Sequence, residues 1–148
     1  MSYLTLNDDR AVHRAVLFCL LMVALVGMMG VESARAEMKM RRDTLILHTA
    51  SGVHRIDIEV AESDQEKAYG LMFRRSLGDD QGMLFPYPTA HEITMWMRNT
   101  FIPLDMIFIR ADGIVHRVET DTEPHSERII GSQGDVTGVL EMKAGSAR

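Results

Sequence analysis

Cysteine is all but missing from this chain. Its one copy, Cys19, falls inside an apolar run near the amino terminus. A domain downstream of that run has no disulfide, thiolate metal site, cysteine nucleophile or redox pair to draw on. It must be held by its core and by backbone pairing. Net positive charge is missing too: 16 basic side chains stand against 21 acidic ones, a formal charge of −5. An acidic domain is a poor partner for nucleic acid or for an anionic membrane surface. The familiar catalytic signatures are also absent. The chain has no Gly-x-Ser-x-Gly elbow, no phosphate loop and no dinucleotide fingerprint. His91-Glu92 lacks the second histidine of a zincin, with Met95 in its place.

What is present starts with an address. Arg10, His13 and Arg14 lead into an unbroken apolar and small run from Ala15 to Gly30. Ala34-Arg35-Ala36 then fits the small-x-small pattern of a signal peptidase site. The run is about sixteen residues, against the roughly twenty that a membrane span needs. We therefore read residues 1–36 as a cleavable signal peptide rather than a retained anchor. Residues 37–148 read as a single exported domain, periplasmic or secreted, with no stable membrane span after cleavage. Cys19 is not followed by a lipid-anchored start, which sets a lipoprotein aside. Cleavage removes Arg10, Arg14 and Arg35 together with Asp8, Asp9 and Glu32, so the charge of the domain stays at −5.

Within the domain, residues 44–49 and 53–60 read as strands about a Ser51-Gly52 turn. Ile56, Ile58 and Val60 alternate with Arg55, Asp57 and Glu59, the period of a strand with one wet face. Ser63, with Glu66 three residues on, forms a capping box for a helix expected over 63–73. Gly70 inside that helix implies close approach to a sheet. Leu77 to Gly82 is a solvated turn, and Met83-Leu84-Phe85 a short buried strand stopped by Pro86 and Pro88. Ala111-Asp112-Gly113 supplies a hairpin turn, and 114–120 the returning strand. A polar loop over 121–134 precedes a last strand at 136–142, and Ala144 onward reads as the start of a short helix. His48 and His54 read as surface histidines.

The densest apolar stretch outside the amino terminus runs from Met95 to Ile109 and holds the only tryptophan, Trp96. Leu104, Met106 and Phe108 face one way, Ile107 and Ile109 the other, as in a central strand covered on both faces. Arg98, Asn99, Thr100 and Asp105 are set into this apolar context, and buried polar groups need partners.

Three blocks carry a resemblance: Gly70-Leu71-Met72-Phe73-Arg74, then Gly82-Met83-Leu84-Phe85, then Trp96-Met97-Arg98-Asn99-Thr100 with Ile102-Pro103-Leu104-Asp105. In order and spacing they resemble the signature of the domain-of-unknown-function family 192, from about Ile56 to the carboxyl end. The resemblance implies a small exported β-rich domain and no established activity. The family pattern runs on through a short helix and a further strand, which implies an open sheet edge or a truncated end here. Combined with the residue pattern, the expectation is an α+β, β-rich fold. It would be a small, strongly curved or barrel-like, mostly antiparallel sheet with one main helix.

Three functions fit these residues. The first is a binding module for a small molecule or an envelope protein. Arg74, Trp96, Arg98, Asn99, Thr100 and Asp105 would form its polar corner, since an aromatic face with a few fixed donors suits a sugar ring or a small anion. Against it stands a structural reading. Arg74 would tie loops together, Asn99 and Thr100 would shape a turn, and Asp105 would accept backbone N–H bonds or pair with Arg98. The second is a soft-metal site for copper(I) or silver(I) through His91, Met95 and Met97, because thioethers and imidazole select such ions. Inward-facing methionines on a strand are more often core. The third is a hydrolase-type enzyme without a recognisable motif, with Asp105 and His116 or His125 as an acid–base pair. No catalytic residue and no cofactor is otherwise indicated.

Overall fold

The computed structural model describes residues 39–148, and the proposed signal peptide lies outside the described residues. Six strands and one helix follow in the order β1 (Arg41–Thr49), β2 (Gly52–Val60), α1 (Asp64–Tyr69), β3 (Gln81–Met95), β4 (Leu104–Ile109), β5 (Val115–Glu119) and β6 (Ile130–Lys143). They form one sheet in the order β1-β2-β3-β6-β4-β5. Only β2 and β3 run parallel, because the connection between them carries α1 across the sheet. The β-rich α+β expectation holds. The strongly curved or barrel-like form does not: β1 and β5 are separate edges with no pairing between them, so the sheet stays open.

Alternation builds the two faces. On β4, Leu104, Met106 and Phe108 enter one apolar cluster with Met83, Phe85, Met97, Val136 and Val139. Ile107 and Ile109 enter another with Ile56, Ile58, Val60, Leu140 and Met142. The central strand is thus covered on both sides, as its composition requires. Ile56, Ile58 and Val60 are buried while Arg55 and Asp57 are exposed.

Several boundaries differ from the sequence expectation, each for a local reason. The Ser63–Glu66 capping box forms with both reciprocal bonds, but the helix ends at Tyr69 rather than running to residue 73. Gly70 takes φ +49 and stops it, and a Cβ there would lie 3.2 Å from the Phe85 ring. The close approach to the sheet is real, although Gly70 caps the helix instead of lying within it.

Pro86 and Pro88 do not end β3, which continues to Met95. The pairing register with β6 shifts between Pro86 and His91, so the prolines fall where the ladder is already interrupted. Residues 89–92 are consequently part of the strand that continues through Ile93 to Met95. On the opposite side β6 begins at Ile130, with Gln133 and Gly134 at positive φ in the irregular stretch. That shortens the expected 121–134 loop. Residues 144–147 form a turn rather than the start of a helix.

Gly82 lies on β3 between β2 and β6, and a Cβ added to it would meet the Glu141 carbonyl oxygen at 2.8 Å. At Gly138 the nearest backbone atom would be 3.7 Å away. Gly82→Ala is expected to cost about 2 kcal/mol in denaturant unfolding, and Gly138→Ala distinctly less. Equal losses would contradict this account of the β3–β6 spacing.

Candidate functional site

The chain between β3 and β4 turns at Met97–Thr100. The Thr100 amide donates to the Met97 carbonyl at 3.1 Å, and Asn99 takes the left-handed conformation at φ +55. The Asn99 carbonyl accepts the Phe73 amide at 2.8 Å, which ties this turn to the segment after α1. The Thr100 hydroxyl donates to the Arg98 carbonyl at 3.3 Å, and its own carbonyl accepts the His125 amide at 3.1 Å. Trp96 is half-exposed, with the Arg98 guanidinium 5.3 Å over its ring. Arg98 Nε also donates to Glu127 at 3.1 Å, at the surface.

The six expected binding residues do not share one place. Trp96, Arg98 and Thr100 line a cavity of about 200 Å³ under α1. Asn99 serves the turn. Arg74 makes a two-pronged ion pair with Glu59 on β2 and lines a different cavity. Asp105 is fully buried with both oxygens bonded: Oδ1 accepts the Asp121 amide, and Oδ2 accepts the Gly145 and Ala147 amides, each at 2.9 Å. It is not the partner of Arg98. His116 and His125 do not partner it either; His116 Nε2 bonds the Gln133 carbonyl and the His125 ring packs on Phe101.

The soft-metal candidates are dispersed over three settings. His91 is exposed, its Nδ1 donating to the Thr89 carbonyl at 2.9 Å and its ring edge-on to Tyr87. Met95 lines the 200 Å³ cavity. Met97 is fully buried in the core, its sulfur 3.2 Å from the Thr122 hydroxyl.

The same cavity reveals a residue that the sequence reading passed over. Glu141 on β6 stands between Met83 and Met106 of the flanking strands, on the core face. It is only 4% exposed, yet it lines the cavity with Lys67, Tyr69, Phe85, Tyr87, Met95 and the three residues above. Among the described residues its carboxyl makes no hydrogen bond or ion pair, and burial alone pushes it up to about 8. The Tyr87 hydroxyl is raised in turn, by its own burial first and then by the Glu141 and Asp64 carboxyls. The signal was available: in Val139-Leu140-Glu141-Met142, period two sets an acid on the same face as Val139.

A one-helix, six-stranded open sheet with a small cavity between helix and sheet defines the class. Within it, the chain belongs to the DUF192 family, described as "Uncharacterized ACR", whose model matches residues 46–148. A Sinorhizobium meliloti 1021 protein provisionally named a transcription regulator is 40% identical, with a TM-score of 0.72 over 75% of this chain and 87% of its own. A protein of unknown function from Novosphingobium aromaticivorans DSM 12444 is 36% identical, with a TM-score of 0.73 over 76% and 80%. No curated protein matches the chain.

Two measurements follow from the two buried carboxyls. Asp105→Ala strands three backbone N–H groups and is expected to cost about 3 kcal/mol or more in denaturant unfolding; a loss below about 1 kcal/mol would contradict the bonding described. Glu141 behaves oppositely. Below its ordinary value of 4.5 the folded and unfolded chains hold the proton alike. As pH rises from there to about 8, the folded chain keeps a proton that the unfolded chain releases, and stability falls by up to about 1.4 kcal/mol per unit. Glu141→Gln removes this dependence, so the variant is expected to melt higher than the parent at pH 8. Parallel melting curves from pH 5 to 8 would contradict it.

Proposed function

We propose that the chain is an exported binding module, periplasmic or secreted, that takes a small molecule in the cavity of Trp96, Arg98, Thr100 and Glu141. The observation that carries this reading is the Glu141 carboxyl, which sits on a buried residue, opens into a cavity and makes no hydrogen bond or ion pair among the described residues. An uncompensated buried acid weakens the fold. Such a cost is found where a group has work to do, and a carboxyl shifted by desolvation in a cleft is a recognised mark of a functional site. Trp96 and Tyr87 add flat aromatic walls, and Arg98 a polar rim. The expected corner thereby moves: Asp105, Asn99 and Arg74 hold the scaffold, and Glu141 takes their place in the site.

A family of unknown function supplies no ligand. The provisional name of the Sinorhizobium protein points to gene regulation, but a charge of −5 opposes direct contact with DNA as the way this chain acts. Glu141 would also suit proton transfer near neutral pH. A turnover that disappears in Glu141→Gln while the fold persists would favour an enzyme over a binding module.

The test is thermal melting of the full-length chain against sugars, nucleotides, organic anions, amines and metals, with silver(I) standing in for copper(I). One organic class is expected to raise the melting temperature, and Trp96→Ala, at a half-exposed position, to weaken that ligand tenfold or more. A shift unchanged by both Trp96→Ala and Arg98→Ala would place binding elsewhere. A silver-specific shift lost in Met95→Leu/Met97→Leu would favour the soft-metal reading.

A further inference from the structure

We infer that the cavity takes a compact amine, held as its ammonium against the Glu141 carboxylate and flanked by the Tyr87 and Trp96 rings. This inference rests on the reading of the cavity as a binding site, and it names the ligand class.

The charges around the cavity select the sign. Lys67, on α1, directs its Nζ to the Glu62 carbonyl at 2.6 Å, and Arg98 pairs with Glu127. Both cations at the rim are thus engaged by other oxygens. Asp64, also on α1, adds a further negative charge felt at Tyr87, and the groups opposite Glu141 on β3 and β4 are the apolar Met83 and Met106. Once ionised, Glu141 would be a carboxylate with no counter-charge paired to it among the described residues. A carboxylate only accepts hydrogen bonds, so what it lacks is a donor, and a charged donor most of all.

The walls select the same sign. Tyr87 already carries Lys67 Nζ 5.1 Å from its ring centre, and Trp96 carries the Arg98 guanidinium at 5.3 Å. The π faces at this site are therefore arranged toward cations, which they attract through the ring quadrupole. A volume of about 200 Å³ is below the roughly 300–1,000 Å³ of drug-sized ligand sites, so the amine is small.

The proton balance gives the inference its signature. The empty site holds Glu141 protonated at neutral pH. An ammonium pairs with the carboxylate, so below about pH 8 one proton leaves the carboxyl for bulk water as the ligand enters, and the ligand keeps all of its own. Apparent affinity then rises about tenfold per unit between pH 6 and 7 and levels off above 8.

The experiment is calorimetric titration of the full-length chain with n-propylammonium, and with propionate and propionamide as an anion and a neutral compound of similar size. Proton release is followed in unbuffered solution with a pH electrode. The expected result is binding of n-propylammonium alone, release of one proton per site at pH 7, and loss of binding in Glu141→Gln, which still melts cooperatively. Preference for propionate or propionamide, retained in Glu141→Gln, would overturn the amine and leave the cavity as the binding site. So would failure of all three probes while a library ligand still depends on Trp96. If no probe binds and no library ligand depends on Trp96, the amine and the cavity reading fall together.

Discussion

Strand β6 is the constraint from which the rest follows. It pairs with β3 along one side and β4 along the other, and so joins the β1–β2–β3 half of the sheet to the β4–β5 half. Its alternation sets Val139 in one apolar cluster and Leu140 and Met142 in the other, and the register shift before Gly138 brings Val136 to the side of Val139. The chain packs close enough at the end of the helix that a Cβ on Gly70 would lie 3.2 Å from the Phe85 ring, and the close packing of β6 against β3 is what Gly82 permits. Anything projecting from β6 on the helix side is held on three sides by rigid structure.

Two carboxyls are buried in this setting, and they differ in how they are satisfied. Asp105 spends its oxygens on three backbone amides from two distant segments, which fastens the 121 loop and the 144–147 turn to β4. Its burial is compensated by these bonds. Glu141 has no such partners among the described residues and remains open to a cavity with aromatic walls. An uncompensated buried acid costs the fold stability at neutral pH, whereas a compensated one does not. That contrast, rather than position along the chain, is what singles out Glu141 as the candidate.

Local order was largely legible in the sequence. The capping box at Ser63, the Ser51-Gly52 hairpin, the one wet face of β2 and the two apolar faces of β4 all depend on neighbours within a few positions. The misread features depend on distant partners. Pro86 and Pro88 looked like a strand end because the register shift that accommodates them is set by β6 about fifty positions later, between Val136 and Gly138. Trp96, Arg98 and Thr100 could be singled out as a group, since they are nearly adjacent. Asp105 admits two readings in the sequence, and its bonds to the amides of residues 121, 145 and 147 match the one in which it accepts backbone N–H groups. Glu141 was hidden for the converse reason: forty residues away along the chain, it is brought to the same cavity only by the pairing of β6.

The central claim is that Glu141, a buried residue at the cavity, has no hydrogen-bond or ion-pair partner among the described residues and holds its proton to unusually high pH. The most direct test is a carbon-detected NMR titration of its side-chain carboxyl in the full-length chain from pH 4 to 10. A midpoint near 8 is the result this account predicts. A midpoint near the ordinary 4.5 would mean that the carboxyl is hydrated or paired, and would remove the physical ground for the site.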